Sequence, residues 1–444
     1  MHMGCTHPSP DRAMDSALNI EVSCSRRIKY PPELVEELLD WLHGDRDTLL
    51  CCSFVSHLWY SMTRRRLFHT IKLRLDQDDE RLTDFILFLG MHETIPTHIR
   101  TLHLDSSCSS THRRIRPMIS LDILARLLLH LPQLSELEMT RVMLQPSQSY
   151  DTLPVGAFQL DKLTLCLLND IPAFSDHPDA IGWLQFLSLF SKIRRLNSYM
   201  NRLLPTMGDT HRKFLLQYDQ RMDSFLHVQS LTIQGLVPAF VDRVISNALA
   251  TDAGIRHLHV QTSCDFLSHL ECIGPILSKC GQHIQSLRID VRDSISPPKG
   301  ELHMSAVMAQ WDYLQLPKCI DLKILNIVLC ISDGDCVTDM SLEACMHIIT
   351  RTPPSLRRLR ITLNALPVDP IYPQEKVCPI VLGSTRHPAF WGCMERIQAT
   401  LPSLESVTFD MMRDSFRREA LPEDARKSIT DNLPSLHQRN ILQT

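Results

Sequence analysis

The most frequent pattern in this chain is a short phrase: an apolar residue, two further residues, a second apolar residue, one residue, and a third apolar residue. Its last two apolar positions alternate with a position that is mostly polar, which is the period of a strand buried on one face. About ten copies occur from residue 99 onward, and their middle residues are 26 to 48 positions apart. The copies are Ile99-Leu102-Leu104, Leu134-Leu137-Met139, Leu160-Leu163-Leu165, a weaker Ile193-Leu196-Ser198, Val228-Leu231-Ile233, Ile255-Leu258-Val260, Ile284-Leu287-Ile289, Leu322-Leu325-Ile327, Leu356-Leu359-Ile361 and Leu404-Val407-Phe409.

Segments with helical spacing of apolar residues lie between these copies. They include residues 121–131, 182–190, 240–249, 265–280, 341–351 and 391–401. Proline often follows such a segment just before the next strand, as at Pro132 and Pro402, because proline cannot continue a helix. One strand and one helix per repeat predict an α/β fold in which successive units stack and bury one another's apolar faces.

The array resembles leucine-rich repeats in its Leu-x-x-Leu-x-Leu core. The Asn or Cys that follows this core in regular repeats is absent, and the spacing is long and uneven. The resemblance therefore implies an irregular solenoid over residues 99–432, with parallel strands on its concave face and residues 433–444 as a C-terminal cap or tail. A different α/β packing is the alternative.

Residues 30–73 carry a different pattern, that of short amphipathic helices. Pro31 and Pro32 suit the first turn of a helix, where a missing N–H costs nothing. Asp47 is the expected N-cap of a second helix. The apolar residues of the first helix are Leu34, Leu38, Leu39 and Leu42, and those of the second are Leu49, Leu50, Cys52, Val55 and Trp59. Arg64–Arg66 and Leu67-Phe68 begin a third element.

This run resembles the F-box, in particular its fungal form. The family opens Leu-Pro-x-Glu-Leu, where this chain has Tyr30-Pro31-Pro32-Glu33-Leu34, and it closes Val-Cys-x-x-Trp, where this chain has Val55 to Trp59. Tyr30 replaces a Leu of the family pattern, and Ser56 replaces a Cys. The resemblance implies a three-helix module over residues 28–73 that binds a Skp-type adaptor, and through it a cullin, in an SCF (Skp–cullin–F-box) ubiquitin ligase. The residues that match the family's adaptor contacts are Pro31, Pro32, Leu34, Leu38, Leu42, Leu49, Val55 and Trp59.

The physical chemistry of the segment agrees with a docking role, because helices this short have too little interior to hide so many large apolar groups. Packing of the same residues onto the neighbouring repeats is the alternative. The chain is then expected to be a non-enzymatic receptor whose repeat array binds a protein substrate, or else a leucine-rich-repeat scaffold without ligase work.

The polar position inside each repeated phrase is expected to face outward from the concave sheet surface, together with the residue two positions earlier. Basic residues gather there in the second half of the array: His257, His259, Arg288, Arg358 and Arg360. Arginine forks suit carboxylate and phosphate groups, so these five residues are the candidate substrate-binding positions. An ordinary solvated strand face is the alternative.

Composition and motif content bear on which ligands, which cellular location and which activity are expected. The net charge of −4 gives no general attraction to nucleic acid or anionic membranes, and no apolar run approaches the ~18 residues that span a bilayer. The 15 cysteines are scattered without a C-x-x-C pair, which is typical of reduced thiols in the cytoplasm or nucleus. Phosphate-loop, zinc-protease and hydrolase motifs are missing from the sequence, so no enzyme activity, cofactor or metal is expected.

The sequence also contains two weak signals for a metal site and two segments outside the F-box-like module and the array. Cys264, Cys272 and Cys280 recur every eight residues, a near-helical period that favours core packing over a metal site. Asp333, Asp335 and Asp339 lack the Gly and Glu of a calcium loop. Residues 1–27 are predicted to be a disordered leader, and residues 74–98 a helical segment that links the F-box-like module to the array.

Overall fold

A computed structural model of the chain describes residues 31–42, 44–75, 80–106, 118–148, 152–167, 178–200, 226–234, 254–261, 273–274, 276–290, 311–331, 335–365, 387–414 and 417–443. The chain divides into two compact units, residues 1–67 and 68–444. The predicted leader, the predicted helix at 240–249, and the residues Tyr30, Cys264, Cys272 and Asp333 lie outside the described residues.

The first unit contains three helices: α1 (Pro32–Trp41), α2 (Arg46–Cys52) and α3 (His57–Leu67). Val35, Leu39 and Leu49 form its small buried core. Partly buried side chains pack around that core, namely Leu42, Cys52, Trp59, Met62 and Leu67. The helices therefore enclose one layer of apolar side chains between them, and three fully enclosed residues are few for a unit of this size.

The second unit is built on one long sheet of mainly parallel strands. Its strands, in chain order, are β1 (Thr70–Arg74), β2 (Thr101–Asp105), β4 (Glu136–Thr140), β6 (Phe158–Leu167), β7 (Phe190–Met200), β8 (His227–Gln234), β9 (His257–Gln261), β10 (Ser286–Asp290), β11 (Ile324–Ile331), β12 (Arg358–Ala365) and β13 (Ser406–Asp414). Each strand pairs in parallel with the next in this order. β14 (Arg417–Glu419) joins β13 antiparallel, β15 (Leu442–Gln443) joins it in parallel, and β3 (Met118–Ser120) pairs with β5 (Met143–Gln145) in a separate small sheet.

The strand register aligns the repeated phrases with one another. The middle apolar residue of each phrase lies opposite the middle residue of the next, from Leu102 against Leu137 to Leu359 against Val407. Every apolar residue of the ten phrases is at most 8% exposed, and Ser198 in the weaker copy is also buried. The prediction of one buried strand per phrase is confirmed, and a mixed α/β fold with a long parallel sheet in chain order is the arrangement expected of a leucine-rich-repeat-like array.

One repeat was missed in the sequence. Phe68, Ile71 and Leu73 have the same spacing, and β1 places Ile71 opposite Leu102 in the sheet. The predicted module of residues 28–73 is therefore too long at its C-terminal end, because residues 68–73 belong to the sheet unit. The phrase was obscured because it directly follows the third helix of the first unit with no intervening loop signal.

Helices and turns cover the buried side of the sheet. The helices are α4 (Glu80–Met91), α5 (Leu121–Leu129), α6 (Pro178–Ser188) and the segments Asp335–Thr350, Pro388–Glu395, Ile397–Thr400, Glu423–Asn432 and Pro434–Gln438, with 3₁₀ turns at Pro96–His98, Gly281–His283, Trp311–Leu314 and Leu316–Lys318. α4 lies within the predicted linking segment 74–98. Leu433, Leu436 and Ile441 join the main core, so residues 433–443 cap the array.

Three cysteines illustrate how thiols serve in this core. Cys280, Cys319 and Cys345 are free and fully buried among aliphatic side chains. Burial raises the pKa of the Cys280 thiol to about 11 and that of the Cys319 thiol to about 12, and it also raises the pKa of Cys345. The thiols are thus neutral near pH 7 and act as small apolar groups, as the scattered spacing indicated.

We expect Gly182→Ala to destabilise the second unit. A Cβ at Gly182 in α6 would lie 2.5 Å from the carbonyl oxygen of Leu144 in β5, so helix and strand would have to separate. Overpacking of this kind costs about 1–3 kcal/mol, and thermal unfolding followed by circular dichroism should show a lower midpoint. Gly90→Ala in α4 is the matched control, because nothing lies within 4 Å of its added Cβ. Equal midpoints for the two variants would contradict this close approach.

The buried thiols predict a loss of stability in alkali. The folded-state pKa of Cys280 lies near 11 and its ordinary value near 9.0, so the folded chain holds this proton to higher pH than the unfolded chain does. This contribution is fully present below pH 9 and is lost as the pH rises toward 11. In Cys280→Ala the free energy of unfolding, measured in urea, should fall less steeply across that window, by up to about 1.4 kcal/mol per pH unit. Cys51→Ala, which removes an exposed thiol, should keep the wild-type slope.

Candidate docking surface and open sheet face

Helix α1 carries two apolar stripes that are offset by one residue. Val35, Leu39 and Leu42 face the three-helix core. Leu34, Leu38 and Trp41 repeat the same spacing one position earlier and are exposed, Trp41 to 83%. A shift of one residue rotates a side chain by about 100° around a helix, so a helix with both stripes buries one and presents the other.

The segment from α2 to α3 adds further exposed apolar side chains. Phe54 is 82% exposed and Val55 64%, while Leu50 and Leu58 are also exposed. Together with the outer stripe of α1, they form what we call the exposed apolar set: Leu34, Leu38, Trp41, Leu50, Phe54, Val55 and Leu58. Tyr60 is exposed too, but the guanidinium of Arg64 lies 5.3 Å from its ring centroid.

Helix caps fix the two turns that present this set. The side chain of Asp45 accepts hydrogen bonds from the N–H of Thr48 at 3.0 Å and from its hydroxyl at 2.6 Å. These bonds lower the pKa of Asp45, and they make Asp45 the N-cap of α2 in place of the predicted Asp47. The Ser56 hydroxyl accepts from the N–H of Trp59 at 3.3 Å, just before α3. Ser56, a departure from the F-box pattern, thus gives α3 a capping hydrogen bond.

A guanidinium holds α1 to α3. The Nε of Arg66 donates to Oδ1 of Asp40 at 3.0 Å, and its terminal nitrogens donate to the Glu36 carbonyl oxygen at 3.0 Å and to the Met62 carbonyl oxygen at 3.3 Å. One of those nitrogens also forms an ion pair with Asp40. Because Arg66 contacts two helices at once, it fixes the angle at which α1 presents its outer stripe.

The predicted adaptor contacts separate into three groups. Pro31, Pro32, Leu34, Leu38 and Val55 are exposed, and Pro32 begins α1 as expected. Leu42 and Trp59 are half-buried against the core. Leu49 is 2% exposed and belongs to the core itself, so its assignment to the docking surface is corrected.

Four exposed residues were not among the predicted adaptor contacts: Trp41, Leu50, Phe54 and Leu58. The signal for Trp41 was present, since it completes the i, i+4, i+7 stripe of Leu34 and Leu38. The sequence reading joined the two stripes of α1 into one. Phe54 follows α2 in the turn before α3, where helical periodicity says nothing about its direction.

The open sheet face is the face of the second unit opposite the buried apolar residues. Its central row consists of residues that lie opposite one another on successive strands: Lys72, His103, Glu138, Thr164, Asn197, Thr232, His259, Arg288, Asn326, Arg360 and Thr408. A first row, two residues earlier, contains Thr101, Glu136, Lys162, Arg195, Ser230, His257, Ser286, Ile324, Arg358 and Ser406. The ten positions predicted to align do so.

All five basic candidates share this face. His259, Arg288 and Arg360 occupy the central row, and His257 and Arg358 occupy the first row. A third row, two residues beyond the central one, supplies carboxylates: Asp290 lies 3.9 Å from a terminal nitrogen of Arg288, and Asp410 lies 3.5 Å from Nε of Arg360. The structure therefore brings the candidates together; their role in binding stays a prediction.

Basic and acidic side chains on the earlier strands contact one another. Nδ1 of His103 lies 3.0 Å from a carboxylate oxygen of Glu138. Glu136 lies 4.0 Å from Nζ of Lys162 and 3.9 Å from a terminal nitrogen of Arg195. Glu136 and Glu138 are half-exposed at the surface beside these partners.

The described ranges offer no cluster of three or more His, Cys, Asp or Glu side chains that could hold a metal ion. Asp339 instead lies 3.0 Å from Nδ1 of His387. Of the helices that the structure describes, none combines the length and apolarity needed to cross a membrane.

Arg66→Ala should loosen α1 without unfolding the second unit. The substitution removes the bonds to Asp40 and Glu36, so amide hydrogen exchange in α1 is expected to accelerate several-fold through local opening. Arg65→Ala is the control, since Arg65 neighbours Arg66 on α3 and is exposed. If the α1 amides exchange at the same rate in both variants, the clamp does not act as described.

Comparisons with known proteins add little. No protein-family model matches the chain, and no curated protein matches it. Among solved structures, the leucine-rich repeat-containing protein LegL7 from Legionella pneumophila is similar, with 13% identity and a TM-score of 0.34 over 82% of this chain and 98% of that one. The strand order and register by themselves are those of a leucine-rich-repeat-like sheet.

Proposed function

We propose that this chain is the substrate-recognition subunit of an SCF ubiquitin ligase, with residues 31–67 docking to a Skp-type adaptor and the sheet unit binding a target protein. The observation that carries the proposal is the exposed apolar set. Seven large apolar side chains are exposed on a unit whose three helices contain 10, 7 and 11 residues. The F-box-like order of Pro31, Pro32, Glu33 and Leu34 before Val55 and Trp59 supplies the kind of partner.

The energetics favour a permanent partner for this surface. Full burial of a Leu, Val or Phe side chain contributes roughly 1.5–3 kcal/mol. Trp41 and Phe54 are the largest members of the set and the most exposed, and buried aromatic residues dominate the energy of many interfaces. Large exposed apolar groups at this density are typical of interaction sites and not of an ordinary solvated surface.

The sheet unit is the proposed receptor for the target. Its aligned rows of polar and charged side chains form an extended surface that rigid strands hold in register. A target bound there would be tethered near the ubiquitin-loading enzyme, so transfer to its lysines would become a local event at high effective concentration. Catalysis belongs to the partner subunits, and the proposed location is the cytoplasm or nucleus.

The competing proposal is a leucine-rich-repeat scaffold that works outside a ligase. The long parallel sheet by itself supports a protein-interaction role, which is compatible with a ligase subunit and with a scaffold alike. Cullin distinguishes them, because a ligase subunit brings cullin down with the adaptor, whereas a scaffold that only binds the adaptor does not.

The test is a triple variant, Leu38→Ala with Trp41→Ala and Phe54→Ala, in the full-length chain. All three side chains are exposed, so their truncation should leave the fold intact. We expect binding to a purified Skp-type adaptor, measured by calorimetry, to weaken at least about a hundredfold, since each lost anchor costs about 1–2 kcal/mol or more. Affinity purification from cells should lose adaptor and cullin together.

Leu87→Ala with Met91→Ala is the matched control, because these two apolar side chains of α4 are also exposed but belong to the sheet unit. This control should bind the adaptor as the wild type does. Wild-type affinity in the triple variant, or no adaptor binding by the unaltered chain, would refute the docking assignment.

A further inference from the structure

We propose that the open sheet face over strands β9 to β13 binds an acidic stretch of another protein, through Arg288, Arg358 and Arg360. This deepens the proposed role of the sheet unit as a target receptor. It does not depend on adaptor docking, which involves the other unit.

The register sets the spacing of the three guanidinium groups. Arg288 and Arg360 lie in the central row with Asn326 between them, on strands β10, β11 and β12. Neighbouring strands are ~4.8 Å apart, so the two arginines are anchored roughly 10 Å from one another. Arg358 is two residues before Arg360 on the same strand, roughly 7 Å away along it. An extended peptide that runs across the strands matches the first spacing with acidic side chains three residues apart, and one that runs along them matches the second with acidic side chains two residues apart.

The difference in burial between the carboxylates and the arginines decides the sign of the charge that this surface presents. Asp290 is completely buried while its partner Arg288 is 23% exposed, and Asp410 is 14% exposed while Arg360 is 40% exposed. Arg358 is exposed and makes no ion pair with any residue that the structure describes. The carboxylates are thus more buried than the arginine side chains beside them, and an approaching ligand meets positive charge first.

The earlier strands show the opposite arrangement on the same face. There, Glu136 is about as exposed as Lys162, and Glu138 is no more buried than His103. Charge of both signs is therefore presented at equal depth, and the two halves of one sheet face differ in what they can attract. This contrast places the acidic ligand on β9 to β13 and not along the whole array.

The chemistry of the surface favours a carboxylate-bearing peptide over a nucleic acid. Arginine presents paired donors that match a carboxylate in a fork. Ser286, Ser406 and Thr408 lie in the same rows and add hydroxyl groups that can bond a peptide backbone. Among the residues of the three rows on β9 to β13, none is Phe, Tyr or Trp, so the surface lacks the stacking platforms on which single-stranded nucleic acids are held.

The experiment measures binding of a fluorescent oligoglutamate peptide to the full-length protein by anisotropy, at low and at physiological salt. An oligolysine peptide and a single-stranded RNA of equal length are the comparison probes. We expect oligoglutamate to bind most tightly, and more weakly as salt screens the charges. Arg358→Glu with Arg360→Glu should reduce its affinity by about tenfold or more, and Arg358→Gln with Arg360→Gln by a smaller factor.

Arg195→Glu is the matched control, because Arg195 is an exposed arginine in the same first row on β7. It should leave oligoglutamate binding within about twofold of wild type. The proposal is overturned if oligoglutamate does not bind, if RNA or oligolysine binds more tightly, or if Arg195→Glu is as damaging as the double variant. It is also overturned if the glutamine variant has the same stability as the wild type and keeps full affinity for oligoglutamate. Adaptor binding by the same variants, measured in parallel, reports separately on the docking assignment.

Discussion

The stacking of one apolar ladder through the main sheet is the constraint on which the second unit depends. Each phrase contributes a residue such as Leu163 or Leu258 that lies opposite its counterpart on both neighbouring strands. A slip of one residue on any strand would turn its apolar side chains to the open face and its polar ones inward. The register that buries the leucines therefore also determines which polar and charged side chains lie beside one another on the open face.

The first unit also buries apolar side chains, but it is too small to bury all of them. Its core encloses only Val35, Leu39 and Leu49 completely, although α1 alone carries two apolar stripes. Three short helices can bury one stripe of each helix between them, and the second stripe of α1 has nowhere to go within the unit. Its caps and the Arg66 clamp hold this unpaired stripe in a defined direction, which makes it suited to a partner and costly to leave in water.

Periodicity predicted the array well and the small unit poorly. The repeated phrase identified ten strands and their alignment because a strand's side chains alternate strictly between two faces. It failed at β1, where no turn signal separates Phe68 from the preceding helix. In the first unit, Leu49 was expected on the docking surface but is buried, and the exposed Trp41 was not predicted. Adjacent residues on a short helix differ by a rotation that only the position of the neighbouring helices converts into burial or exposure.

The sequence by itself determined the strand period and the two rows of side chains on the open face, because these follow from local alternation repeated along the chain. The parallel order was implied by the resemblance to leucine-rich repeats. Only the tertiary structure decided how deeply each side chain is buried. Asp290 and Asp410 are more buried than the arginines that they accompany, and Phe54 is exposed while Leu49 is enclosed. Depth depends on how separate elements pack across space, and no single element's pattern encodes the position of the others.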